Sequence, residues 1–482
     1  MRDNGGVNWD PNFVPALPSI LLSFVWLFVL CYTLPERSAW WRLFRLSSFP
    51  LLYTTLVHIS FNYDYTLGNP LRDLAMPTIT WTVLCKAVEV CIIYSRGGPK
   101  TIRPFLPNAE HPVTAMVESD YSKYEWKEVD FAPLCSTERL IYAVDVIGMR
   151  RVGTSGVLPQ QGRSLEWSKQ ALNKWAQYLK TRQCAPSEVP VHGPIRRFGQ
   201  LEFPPIVSLL QFGFLYAGMR WLYALAAPSD PTVCLLGLFV PESFVPHDWL
   251  RKLPLAKPCK LASGIPNSVF ALPVATRLAM TCVFGAAVCF AAGIGESIGF
   301  PLLKRLHPPT GFLSAFDRPL TAPSISRLWA RSWHGMSQRD YIHLSSLCPG
   351  SENRILYVVY AFMWSGIQHS WMFARLQDPP PTGYDPVTML RSMFDPGMLT
   401  FFLCQAGGIL LERAALDAVP VKLKQQHPRA ISSLRQLWKV VVLLVPGPAF
   451  VDSVLKRDLM TKETLDAFTL SALVKMLQGK RY

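Results

Sequence analysis

"VPALPSILLSFVWLFVLCYTL", residues Val14–Leu34, carries no charged side chain. A bilayer core about 30 Å thick asks for roughly 20 apolar residues of helix, and this run supplies them. It is preceded by a largely acidic and neutral stretch and lacks a small-x-small cleavage site, so it reads as a retained anchor and not as a secretory signal. The rest of the chain agrees with that reading. Over 482 residues, 50% are hydrophobic and only 17% are charged, a balance outside the usual range of soluble domains.

Further runs of spanning length follow at Phe203–Ala227, Phe270–Ile294, Ile355–Leu376 and Met393–Leu411. Shorter or more polar candidates are Ser48–Tyr63, Pro77–Tyr94 (with Lys86 and Glu89 inside) and Leu434–Val451. The expected fold is an all-α polytopic membrane protein with about seven to nine transmembrane helices. Three sections are expected: N-terminal spans over 1–94, a polar and cytosolic section over 95–202, and C-terminal spans over 203–482. No internal repeat interrupts this order, and the Pro-rich "DPPPTGYDP" at 378–386 reads as a rigid extended turn.

The net charge of +15 does not point to nucleic acid, because the basic residues form no block with interleaved aromatics. Topology explains them better. Residues 95–200 hold about 15 Lys+Arg against about 10 Asp+Glu, which is weak evidence in so long a loop. Short loops weigh more: Arg37, Arg42 and Arg45 follow the first span, and Arg413, Lys422, Lys424, Arg429 and Arg435 follow the Met393 span. Both sets are expected to face the cytosol. Within the polar section, residues 136–156 have apolar side chains at helical spacing and a basic end. They form either an amphipathic helix on the membrane surface or a packed cytosolic helix.

The 11 Cys show no CxxC pairing, and many fall inside spans (Cys31, Cys85, Cys91, Cys282, Cys289, Cys404). They read as buried apolar thiols. No metal is expected, since neither His334 nor His369 has a second ligand at helical spacing.

Ionisable residues inside spans are costly and mark sites or pathways. His369 is one, in "VVYAFMWSGIQHSWMF" (358–373). Ser365 lies four residues before it on the same face, and Gly366 three before it, which is expected to leave room for a substrate atom at the imidazole. Such a histidine either takes a proton from a hydroxyl, in a dehydrated setting that keeps it neutral, or bonds a neighbouring helix. His334 sits in a charged segment beside Trp333, with Trp329 one turn earlier and Arg331 between them. A helix there would put both indoles on one face, either to hold an adenine ring or thioester chain or to anchor the interface.

Together the two segments resemble the wax-synthase-like branch of the membrane-bound O-acyltransferase superfamily. In "FDRPLTAPSISRLWARSWHGM" (316–336), Arg331, Trp333 and His334 match the core of that signature, and Ser365, Gly366 and His369 match its second part. Ser332 replaces the usual second Arg and Leu328 the Phe of a Phe-Trp pair, so contacts to the CoA phosphates are expected to differ from the family pattern.

The resemblance implies His369 as general base and His334 near the thioester, with Arg331, Trp333 and Trp329 contacting the acyl donor. It further implies acetyl-CoA as co-substrate, a hydrophobic hydroxylated small-molecule acceptor of terpenoid or meroterpenoid type, membrane lipids as surroundings, and residence in the endoplasmic reticulum. A long-chain wax or sterol ester synthase is the alternative from the same residues. A transporter using His369, Glu89 and Lys86 as pathway residues is a third reading, disfavoured because the two halves show no symmetry. Soluble and covalent acyl-transfer signatures, HxxxDG and GxSxG, are absent. The sequence sets no oligomeric state.

Overall fold

The protein is described here by a computed structural model, which covers residues 13–66, 73–98, 100–110, 125–129, 133–148, 157–158, 268–289, 319–333, 337–375, 383–384 and 386–455, with isolated positions 210 and 213. The Phe203–Ala227 run lies outside the described residues except at those two positions.

Helix α1 (Leu17–Thr33) extends a short 3-10 turn at Val14–Ala16. Helix α2 (Ala39–Phe61) is capped by the Ser38 hydroxyl and starts nine residues before the expected Ser48. Helix α3 (Ala75–Val88) runs on into a π-helical turn, Glu89–Ile93. The polar section then supplies a small antiparallel sheet in the order β2-β1-β3, from β1 (Lys100–Phe105), β2 (Glu125–Val129) and β3 (Val157–Leu158). It is a strand element within a chain that is otherwise helical among the described residues. Between β2 and β3, α4 (Thr137–Gly148) buries Tyr142, Ala143 and Val146. These join the same core as Leu27 and Leu30 of α1 and Leu34 just after it, so of the two alternatives for this segment the helix packs on α1.

Later elements are α5 (Val274–Cys289), a short helix at Ile325–Arg327 that passes into a π-helical turn at Leu328–Ser332, α6 (Gln338–Ser346), α7 (Arg354–Phe373), α8 (Pro386–Met393), α9 (Pro396–Ala418), α10 (Val421–Gln426), α11 (Pro428–Leu444) and α12 (Gly447–Leu455). Asn353 caps α7 and Asp395 caps α9 through side-chain oxygens, the residue types that satisfy orphan N–H groups best.

Among the described residues, four helical stretches are long and apolar enough to cross a membrane: Val14–Thr33, Ala75–Ile93, Met389–Ala418 and Pro428–Val454. The expected seven to nine is not confirmed by this count, which leaves out the Phe203–Ala227 run and the end of the Phe270–Ile294 run. α2 and α7 have bilayer length at 23 and 20 residues, but Arg42 and Arg45 in the first, and Gln368 and His369 in the second, lower their apolarity. Close approach of helices is set by small residues. At Gly408 an added Cβ would lie 2.4 Å from Cγ1 of Val442, so the Val442 side chain of α11 packs directly on the glycine backbone of α9.

Two buried arginines tie helix ends together. Arg45 of α2 donates to the carbonyls of Thr33 (2.7 Å), Glu36 (2.8 Å) and Ser95 (2.8 Å), where the C-termini of α1 and of the π turn leave acceptors unsatisfied. Read from sequence as a loop charge facing the cytosol, it is instead fully buried. Arg375 does the same at the C-terminal end of α2, donating to the carbonyls of Ser60 (2.9 Å) and Asn62 (3.0 Å). The thiols divide: Cys31, Cys85 and Cys91 are buried as expected, while Cys282 and Cys404 lie on the outer faces of their helices.

Candidate functional site

α7 and α9 form an antiparallel pair, and the Ile325–Ser332 segment lies along one end of it. Between them opens a groove of about 1190 Å³. Its walls are largely apolar, with Trp329 and Trp333 on one side, Val358 and Phe362 of α7, and Ile409 of α9; Ser365 lies within it, and Arg354, Arg413 and Asp417 line the end where α7 begins and α9 ends. Ser365 stands about 17 Å along the α7 axis from Arg354, and His369 about 22 Å, at the helical rise per residue.

The indoles take the places expected of them. Trp329 and Trp333 meet edge to face with ring centroids 6.3 Å apart. Trp329 Nε1 donates to Gln405 Oε1 at 3.2 Å, and Gln405 Nε2 donates to the Val442 carbonyl at 2.8 Å. The predicted helix, however, ends at Ser332: Trp333 already has extended backbone, with φ −127 and ψ 142. Arg331 lies in the π turn. His334 lies outside the described residues, so its expected place beside the indole stripe is untested.

His369 is half-buried, and its ring is held on three sides. Nδ1 lies 2.7 Å from the Ser365 carbonyl oxygen. A carbonyl can only accept, so Nδ1 carries the proton in the neutral ring and Nε2 holds the lone pair. Phe402 lies against the imidazole at 4.5 Å and Phe450 at 5.8 Å. His369 is not among the groove's lining residues. It connects to the groove through Ser365, one turn away, and through Phe402, which also meets Trp329 at 5.9 Å.

Gly366 does not leave room for a substrate, contrary to the sequence expectation. A Cβ there would come 2.9 Å from Leu399 Cδ2 and 3.3 Å from Leu399 Cα; the glycine serves the contact between α7 and α9. Gly366→Val is therefore expected to overpack that contact and cost about 1–3 kcal/mol of stability, measurable as a lower Tm in detergent.

Lys86 and Glu89, expected as pathway residues in a transporter, do not line the groove. Lys86 Nζ contacts Glu89 Oε2 at 2.5 Å, and two guanidinium nitrogens of Arg339 on α6 reach Glu89 Oε1, Nε at 3.0 Å. His343 Nδ1 is 4.0 Å from the same oxygen. Burial, opposed by the Glu89 carboxylate, pushes the His343 pKa down to about 4, so this imidazole is neutral near pH 7. α6 is also fixed to α7, with the Tyr341 hydroxyl donating to Gln368 Oε1 at 2.5 Å.

Sequence reasoning passed over Glu412, a buried carboxylate of α9 that accepts from Ser326 N (3.1 Å), from the Ser326 hydroxyl and from Arg435 Nε (3.0 Å). The signal was present, since an acidic residue inside "GGILLERAA" meets the same rule that picked out His369.

Residues 313–394 match the family model described as the membrane bound O-acyl transferase family. That stretch holds Trp329, Arg331, Trp333, His334 and His369, and the match supports the superfamily read from those residues. No curated protein and no solved structure matches the chain.

Proposed function

We propose that this protein is a membrane-bound O-acetyltransferase that moves an acetyl group from acetyl-CoA onto a hydroxyl of a hydrophobic terpenoid or meroterpenoid. The observation that carries the proposal is the tautomer of His369. Its Nδ1–H is committed to a main-chain carbonyl inside the helical bundle, which makes Nε2 the basic nitrogen, one turn from an apolar groove able to hold a lipophilic substrate.

The acceptor hydroxyl gives its proton to Nε2 as its oxygen attacks the thioester carbonyl. The tetrahedral intermediate collapses by breaking the carbon–sulfur bond, and the imidazolium returns the proton to the departing CoA sulfur. His334 donates a hydrogen bond to the oxyanion that forms between these steps. Because His369 meets the groove across Phe402, the reaction requires that ring to turn aside as the substrates bind. No metal enters this scheme.

CoA is charged and comes from water, whereas the acceptor dissolves in the bilayer. The end of the groove flanked by Arg354 and Arg413 is accordingly assigned to the cytosol, together with Lys422, Lys424 and Arg429, in the endoplasmic reticulum membrane. Arg331→Ala is expected to raise the apparent KM for the CoA donor by about tenfold, the worth of one charge-assisted contact, and to leave the acceptor's KM within twofold. Equal effects on both would argue against a phosphate contact.

Ser365 acts through its carbonyl. Ser365→Ala keeps that carbonyl and is expected to reduce transfer by less than about tenfold, the scale of one lost neutral hydrogen bond. Complete loss would favour a covalent route through its hydroxyl.

A second reading rests on the size of the groove: walls such as Val358, Phe362 and Ile409 suit a long acyl chain equally well, as in a wax or sterol ester synthase. Membranes bearing the protein, offered acetyl-CoA and palmitoyl-CoA in turn with extracted lipophilic alcohols, separate the two. Label from acetyl-CoA alone in the product supports the acetyltransferase; label from palmitoyl-CoA alone supports the ester synthase.

A further inference from the structure

The segment bearing Trp329, Arg331 and Trp333 is a short helix and π turn over Ile325–Ser332 that gives way to extended backbone at Trp333, and an acyl donor site needs its groups held within a fraction of an ångström. Its two ends are tied to opposite halves of the chain. At the first end, the main-chain N–H and the hydroxyl of Ser326 both donate to Glu412 Oε2, while Arg435 of α11 donates to Oε1 at 3.0 Å. Lys439 of α11 adds a bond to the Ala322 carbonyl at 2.6 Å. At the second end, Arg339 reaches Glu89 Oε1 through two nitrogens and donates to the Tyr94 hydroxyl at 3.0 Å.

Both carboxylates are removed from water, Glu89 at 1% exposure and Glu412 at 5%. Each would be costly if it stood alone, and each is matched by cations and donors from other elements. Glu89 also sits where α3 changes from α to π winding, a local irregularity that recurs at functional positions. A purely structural ion pair could have joined any two helices. Here both clamps land on the flanks of one segment, at Ser326 and Arg339.

We propose that Glu89 and Glu412 are positioning residues that hold the two flanks of the donor segment, 327–333 through Ser326 and 337–338 through Arg339, so that the N-terminal helices contribute to the donor site by holding it. The clamp itself is a statement about this segment's rigidity; its effect on catalysis rests on the O-acyltransferase reading above.

The test is amide hydrogen exchange on the full-length protein in detergent, over peptides covering 327–338, for wild type, Glu89→Gln, Glu412→Gln, Ser326→Ala and Arg339→Lys. The last two keep both carboxylates and most of the charge balance, so they remain informative if either Glu variant fails to fold. Exchange in 327–338 is expected to quicken about tenfold or more, the loss of one charged hydrogen bond, while peptides from the middle of α7 and α9 hold their rates. In the same variants the donor's KM is expected to rise about tenfold, with the acceptor's KM within twofold.

Unchanged exchange in that segment, in every variant that folds, overturns the clamp. Faster exchange with an unmoved donor KM leaves the clamp standing and removes the donor-site role of the segment. Faster exchange in a protein with no transferase activity at all leaves the clamp and removes the enzymatic reading.

Discussion

His369→Ala is expected to lower acyl transfer by about 10²–10⁴-fold, the contribution of a positioned general base, and to leave the protein in the membrane. The loss follows from the geometry. Nδ1 is spent on the Ser365 carbonyl at 2.7 Å, so the ring presents Nε2 in one tautomer, and no second imidazole shares its contacts among the described residues. His369→Gln is the companion variant: it fills much of the same volume between Phe402 and Phe450 while offering no group that takes a proton at neutral pH. Both variants are expected to be equally inactive and to keep their place in membrane fractions, because α7 remains packed through Gly366, Ile367 and Trp371. Turnover near the wild-type rate in either one would make His369 a helix-bonding residue and nothing more.

His334→Ala is expected to lower transfer by about 10²–10³-fold, the cost of removing one oxyanion donor, mainly through kcat. The contrast with Arg331→Ala is diagnostic. A residue that meets charge only as it develops changes kcat, whereas one that grips a phosphate of the ground-state donor changes KM. If His334→Ala raised the donor's KM and left kcat intact, the two residues would have exchanged roles, and the thioester would lie elsewhere in the groove.

Much of the helical framework was legible in the sequence because it rests on local composition. The Val14–Leu34 run became α1 with its 3-10 start, and the Ile355 run became α7 with small shifts at its ends, while the Leu434 run began six residues early at Pro428 and divided into α11 and α12. The pairing of Trp329 with Trp333 was legible too, although the rings meet where the π turn gives way to extended backbone at Trp333 and not on one helical face. Three things were not. The small sheet pairs Thr101 with Val129 across a polar stretch that has no strand alternation strong enough to announce it. Gly366 was read as space, although a glycine in a bundle is as often filled by a neighbour, here Leu399. The two clamps join residues such as Glu89 and Arg339 that lie far apart in the chain, and no local period encodes such a pairing.

Arg45 teaches the same lesson about charge. Counted by position it looked like a cytosolic loop cation, but its guanidinium is the right shape for several converging carbonyls, and three main-chain oxygens hold it inside. Loop-charge counting can therefore be applied here only to residues that remain exposed, such as Lys422 and Arg429.

The most direct test of the central claim is mass spectrometry of lipophilic metabolites from cells making the wild-type protein and from the same cells making His369→Ala. Hydroxyl acetylation by this site predicts that one compound vanishes in the variant and that a precursor lighter by C2H2O accumulates in its place. Identical metabolite profiles in the two, with the variant present in membranes at the wild-type level, would contradict it.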